Sequence, residues 1–163
     1  MRDANFSLRT FDIDAPGPWA QRVAEVTAMT NAGADGWEPY VKAGGKLIFA
    51  QGADDVSVSP QQAISIYQGI REKLGDATAD SFMRFYIVPG LGHGIGRFLL
   101  SWDNVGILDR WVDQGIAPPA AGIGWDANKD SGDRSRPVCP YPSWPSYKGG
   151  PVNDAASFVC AAQ

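Results

Sequence analysis

Two short apolar runs, each leading into a loop that carries reactive side chains, do most to limit what this chain can fold into. The first is Lys46-Leu47-Ile48-Phe49-Ala50, followed by Gln51-Gly52-Ala53-Asp54-Asp55. The second ends in Tyr86-Ile87-Val88 and continues as Pro89-Gly90-Leu91-Gly92-His93-Gly94. Continuous apolar runs of this length suit strands of a parallel sheet that is covered on both faces. Parallel neighbours need a long crossover, and the residues between the runs supply one. Ser59 is a good N-cap, Pro60 fits the first helical position, and Gln62 is placed to close a capping box back to Ser59. Ala63, Ile66, Tyr67, Ile70 and Leu74 then recur at helical spacing, and Gly75 suits the position just past the end. The pattern predicts a βαβ unit with strands over 46–50 and 83–88. Their ends offer carboxylates on one side and the chain's single histidine on the other.

The rest of the chain is organised around this unit as three segments. Residues 1–43 read as an irregular, partly helical arm, with a turn at Asp14-Ala15-Pro16-Gly17-Pro18 and a short helix over 19–29. Ala20, Val23 and Ala24, with Val26 and Met29, would face inward on that helix, and 31–36 read as loop. Residues 44–116 hold the α/β core and end in a helix from Asn104 to Gln114, capped by Asp103. Val105, Leu108, Trp111 and Val112 form its expected apolar face, and Gly115 with Pro118 and Pro119 stops it. Residues 117–163 form a Pro/Gly-rich tail. Pro137, Pro140, Pro142 and Pro145 rule out long regular structure there. Tyr141, Trp144 and Tyr147 give the tail something to pack with once it is stapled.

A net charge of −4 without any basic stripe excludes nucleic acid as a partner. No apolar run approaches the roughly 20 residues a membrane span needs, and no basic amphipathic helix suggests a membrane surface. The only cysteines are Cys139 and Cys160. Two thiols with no second histidine cannot supply four zinc ligands, so a disulfide is expected and a metal is not. A disulfide points to an oxidising compartment, secreted or periplasmic. The opening Met1-Arg2-Asp3-Ala4-Asn5 has no apolar stretch behind its charge and does not read as a signal peptide. No motif calls for a cofactor.

A strand ending in an acid, a helix, and a strand ending in histidine follow the chain order of the last two members of a Ser…Asp…His hydrolase. A lone histidine usually does no more than satisfy a hydrogen bond. Here the glycines beside His93 allow a tight turn and the close approach of other groups, as a general base requires. Paired loop acids are usually solvated or cap the next helix. Ser59 already fills the cap, which leaves Asp54 or Asp55 free to orient the imidazole, and spacing does not choose between them. No Gly-x-Ser-x-Gly is present. Ser57 and Ser59 lie in the acid loop, Ser65 lies within a helix, and Ser101 is the least unsuitable substitute nucleophile. No oxyanion hole stands out.

Four stretches carry a resemblance to a known family. They are Gly44-Gly45-Lys46-Leu47-Ile48 leading to Gly52-Ala53-Asp54-Asp55 and Pro60; Val88-Pro89-Gly90-Leu91-Gly92-His93; Leu108-Asp109-Arg110-Trp111-Val112-Asp113-Gln114-Gly115 followed by Ala117-Pro118; and Arg136-Pro137-Val138-Cys139-Pro140-Tyr141-Pro142 with Asn153-Asp154-Ala155-Ala156-Ser157-Phe158-Val159-Cys160. In this order the chain resembles the C-terminal part of the tannase and feruloyl esterase family. The resemblance implies the C-terminal portion of an α/β-hydrolase fold and a serine esterase acting on aromatic esters: feruloyl, galloyl or related phenolic and terephthalate esters. It places the triad acid on Asp55, the triad base on His93 and the family's late cysteine pair on Cys139 and Cys160. It places Val58, in the loop after the acid, beside the acyl pocket. Where the family has a cysteine directly after the histidine, this chain has Gly94. The nucleophile, oxyanion hole and lid are not in this chain. The expectation is therefore a fragment that is inactive alone and is completed by an N-terminal half carrying the serine. Two alternatives stand beside it: a non-catalytic hydrolase remnant or interaction module, and a small esterase using one of this chain's own serines.

Overall fold

The structure, a computed structural model, describes residues 6–31 and 33–162. The N-terminal pentapeptide, read above as lacking a leader signature, and Ala32 of the expected loop lie outside them. The described residues divide into two compact units, one ending at Gly33 and one beginning at Ala34. In the first, a 3-10 turn at Gly17–Trp19 leads into α1 (Ala20–Thr30). Helix α1 forms where the sequence predicts it but buries none of its residues. Of the expected inward face only Val23 is partly covered, and Ala20, Ala24, Val26 and Met29 are exposed. Phe6 instead packs with Phe11 and Trp19, at ring-centroid separations of 5.3 and 5.8 Å.

The second unit opens with α2 (Glu38–Lys42), followed by the expected β-α-β region. Strand β1 (Leu47–Gly52) pairs in parallel with β2 (Met83–Val88), from Leu47 opposite Met83 to Gly52 opposite Val88. The crossover consists of two helices, α3 (Pro60–Leu74) and α4 (Asp76–Phe82). Helix α3 has the predicted bounds, but the capping box does not form. The Ser59 side chain makes no cap bond, and its carbonyl accepts the amides of Gln62 and Ala63. Helix α4 is too short for its two buried residues, Ala79 and Phe82, to show a period in the sequence. Strand β2 is buried over nearly its whole length, as a doubly covered strand should be, whereas β1 is only half-buried and Ala50 is exposed. Among the described residues β1 has β2 as its only strand neighbour.

The core lies under β2. Phe85, 1% exposed, stacks against Phe49 at 4.8 Å and Tyr67 at 5.0 Å, with Ala63, Ile70 and Phe82 around them. Burying a group of this kind contributes roughly 1.5–3 kcal/mol per large side chain. Helix α5 (Asn104–Gln114) is capped as expected, with Asp103 accepting from the Gly106 amide, and Gly115 ends it at a φ of 69°. Its buried stripe is rotated from the predicted one: Trp111 is buried beneath Lys46 and Arg84, while Val105 and Val112 are exposed. Leu108 is half-buried as predicted and Ile107 joins it, so the covered stripe keeps Leu108 and Trp111 of the predicted face and leaves out its two valines.

The tail is more regular than its prolines suggest. Strands β3 (Leu100–Ser101), β4 (Gly122–Asp126) and β5 (Ser135–Val138) form an antiparallel sheet. Strands β6 (Ser143–Tyr147) and β7 (Phe158–Ala162) form an antiparallel pair. All are short, as the prolines require. Cys139 and Cys160 form the expected disulfide, with 5.5 Å between their Cα atoms. The tail is fastened to the core by a bridge from Pro140 to Tyr86 and by the Tyr141 amide, which donates to the Phe85 carbonyl at 2.8 Å. Tyr141 and Trp144 pack on the core, while Tyr147 is largely exposed and contacts Phe158.

Candidate active site

Parallel pairing of β1 with β2 puts the two following loops side by side. The Ala53 amide donates to the Val88 carbonyl at 2.9 Å and the Asp54 amide to the Leu91 carbonyl at 3.0 Å. The approach is so close that a Cβ on Gly52 would lie 2.3 Å from the Leu91 carbonyl oxygen. Glycine is required there by space alone. The histidine loop then folds back on itself. The Gly92 amide donates to the Ile95 carbonyl at 2.6 Å and the Phe98 amide to the Gly90 carbonyl at 3.1 Å. Gly96, at φ 143°, lies against the Gly90 carbonyl with no room for a side chain.

This crossing brings Asp55 and His93 together. Oδ2 of Asp55 lies 3.1 Å from Nδ1 of His93. The Asp55 side chain is 7% exposed and the imidazole 63% exposed, so an enclosed acid supports an open base. Oδ1 of Asp55 accepts the amides of Ser57 at 2.8 Å and Val58 at 2.9 Å. The Val58 amide does most to hold the Asp55 carboxyl down to about 2; partial burial opposes it, and His93 and the Ser57 amide reinforce it. An ionised carboxylate only accepts, so Nδ1 of His93 carries the proton. In the neutral imidazole this leaves the lone pair on Nε2, the form a general base needs.

The structure thus separates the two acids that spacing left equivalent. Asp55 is wrapped by its own loop and faces the imidazole. Asp54 uses its backbone amide to bind the neighbouring loop and is exposed. Val58 lies in the same turn, partly exposed, its carbonyl accepting from Gln51 Nε2 at 3.2 Å. Ser101 lies in β3 opposite Trp125. Among the described residues no serine hydroxyl is bonded to His93.

Two contributions are absent from the sequence reading. Gln51 is buried and donates to Oδ2 of Asp55 at 3.3 Å. A glutamine interrupting an apolar strand just before the acid loop is the signal that marks it. The second contribution is Asp126, which braces the far end of the histidine loop. Its fully buried carboxylate accepts the Leu99 amide at 2.9 Å, the Asn128 side chain at 2.8 Å and Arg134 Nε at 2.9 Å. Burial alone would raise the Asp126 carboxyl, but the bonds from Arg134, Leu99 and Asn128 outweigh it and hold the group below its ordinary 3.8. Asn128 also donates to the Gly96 carbonyl at 3.1 Å, and Arg134 donates to the Arg97 carbonyl. Nothing in the local sequence connects 126–134 with 96–99.

Comparison with known proteins bears on the family and the fold. The family described as tannase and feruloyl esterase matches residues 1–161. An uncharacterised esterase of Agrobacterium fabrum is 45% identical over 163 residues, covering 99% of this chain and 29% of that protein. The mono(2-hydroxyethyl) terephthalate hydrolase of Piscinibacter sakaiensis is 37% identical over 129 residues, covering 73% of this chain and 20% of that protein. The crystal structure of feruloyl esterase B from Aspergillus oryzae superposes with a TM-score of 0.77 at 21% identity, over 98% of this chain and 34% of that one. That likeness establishes the fold as part of an α/β-hydrolase. The chain spans about a third or less of the length of the relatives it matches.

Proposed function

The chain belongs to the tannase and feruloyl esterase family, and from that premise we propose that it supplies the acid–base half of a serine ester hydrolase acting on aromatic carboxylic esters. His93 takes a proton from a serine hydroxyl through Nε2 and returns it to the leaving alcohol. Asp55 fixes the imidazole by its bond to Nδ1 and stabilises the imidazolium that forms. The serine, its oxyanion hole and the lid belong to an N-terminal part of the protein outside this chain. The observation that carries the reading is the 3.1 Å bond between a depressed, enclosed carboxylate and an exposed imidazole at the ends of adjacent parallel strands.

The substrate class rests on the family and on the terephthalate hydrolase among its relatives. It comprises feruloyl, galloyl, related phenolic and terephthalate esters. Val58, on the loop beside Asp55 and partly open to solvent, contributes to the acyl pocket. The disulfide fits a secreted or periplasmic protein.

The test is hydrolysis of methyl ferulate and of a terephthalate monoester by the complete protein and its His93→Ala variant. The expected result is a loss of several orders of magnitude in turnover. Near wild-type rates in the variant would end this reading. A complete, folded protein that hydrolyses neither ester would favour a non-catalytic remnant.

A further inference from the structure

Between β2, the base of the histidine loop and the two tail sheets lies a cavity of about 230 Å³. None of Asp55, Val58 or His93 lines it. Its surface is mostly apolar, with Val138, Trp144 and Phe158 among its walls, yet Arg97, Arg134 and Arg136 also line it. Three arginines lining one apolar cavity are unexpected in a chain of net charge −4.

These cations are poorly matched by anions. Arg134 is taken up by Asp126. Arg136 donates to the Ser135 carbonyl at 2.6 Å and lies over the Phe158 ring at 4.3 Å, with no carboxylate in ion-pair contact among the described residues. Burial first, and the neighbouring Arg134 second, hold the Arg136 guanidinium below its ordinary value. The Arg97 side chain has no hydrogen-bond or ion-pair partner among the described residues. Arg136 is partly buried and Arg97 is exposed. A partly buried, repelled guanidinium is relieved by an anion, and a planar fork suits a carboxylate best. The apolar walls require the rest of the ligand to be apolar. A cavity on the order of 150 Å³ holds benzene, so this one is sized for a single ring with one small polar group.

We propose that this cavity binds a small aromatic carboxylate, its ring against Trp144, Phe158 and Val138 and its carboxylate on Arg136 and Arg97. The inference is independent of the hydrolytic reading. Pro89, Gly90, Arg97 and Phe98 give the cavity contact with both ends of the histidine loop, so occupancy bears on the loop that holds His93.

The test is a titration of the protein with sodium benzoate, followed by backbone amide and tryptophan indole resonances. Methyl benzoate and inorganic phosphate serve as the uncharged and non-aromatic probes. Benzoate should saturate with a dissociation constant in the range of about 0.1–5 mM, as its few heavy atoms permit. Arg136→Gln and Arg97→Gln should each weaken it about tenfold or more, while Arg110→Gln, on the exposed side of α5, should not. Because the Arg97 side chain is unpartnered, its variant tests the site even if Arg136→Gln disturbs folding. No saturation by about 20 mM, far above the expected range, would overturn the proposal. So would equal binding of methyl benzoate or phosphate, or unchanged affinity in Arg97→Gln.

Discussion

Replacing Asp55 with Asn turns one of its two oxygens into a donor, and the surrounding bonds decide which one. Oδ1 is held by the backbone amides of Ser57 and Val58, which cannot become acceptors, so the Asn oxygen must take that place. The new NH2 then occupies the place of Oδ2, facing Gln51 Nε2 at 3.3 Å and His93 Nδ1 at 3.1 Å. Gln51 can rely on the Val58 carbonyl at 3.2 Å. His93 has no such alternative, and it escapes the donor–donor clash only by moving its proton to Nε2 and accepting through Nδ1. That tautomer cannot take a proton from a hydroxyl. The expected loss is about 10⁴-fold in kcat in the complete enzyme, the size of a tautomer inversion in a triad. The chain's single histidine makes the event directly visible, since the ring nitrogens give one pair of signals in a long-range ¹H–¹⁵N spectrum. At pH 9, where an ordinary imidazole is neutral, the wild type should show protonated Nδ1 and the variant protonated Nε2. The same tautomer in both proteins, or ester hydrolysis within about tenfold of wild type, would refute the assigned roles.

The remaining predictions concern the two carboxylates. Because the folded state holds Asp55 at about 2 against an ordinary 3.8, its ionised form stabilises the fold above 3.8, and that contribution drains away as pH falls toward 2. Urea unfolding between pH 4.5 and about 2 should therefore show a steeper loss for wild type than for Asp55→Asn, and parallel curves would contradict the assignment. At the other end of the histidine loop, Asp126→Ala leaves Arg134 facing an empty site and should cost about 3–5 kcal/mol in urea unfolding. Asp126→Asn keeps an acceptor for the Leu99 amide and should cost clearly less; equal losses would show that the brace does not act through these bonds.

The sequence made the strand–helix–strand region legible because its apolar runs are unbroken and α3 shows several turns of one period. The last polar and glycine residues of β1 were read as loop, yet the ladder carries Gln51 opposite Ile87 and Gly52 opposite Val88. Helix α4 escaped because one apolar pair over seven residues sets no period. On α5 the sequence marks Leu108 and Trp111 correctly, but Val105 and Ile107 both lie within a turn of them, and only contact with the rest of the fold decides which of the two is covered. The placing of His93 beside the acid loop was legible from its strand–Pro–Gly context. The preference for Asp55 over Asp54 was not legible from spacing. It depends on which carboxylate turns back onto the amides of Ser57 and Val58, a property of a folded turn. The tail strands were hidden because their pairing partners lie far apart in sequence, with Pro137 and Pro145 seated inside them.

The Asp126 brace limits where this fold can be cut and rejoined with a relative. A crossover point placed between Leu99 and Gly122 would take the imidazole from one parent and the hairpin that steadies it from another. Hybrids joined upstream of β1 inherit acid, base and brace as a single cassette. Those joined within the α5 region should retain Asp55 and His93 yet lose their alignment, so family shuffling of this segment should yield few active recombinants with breakpoints there.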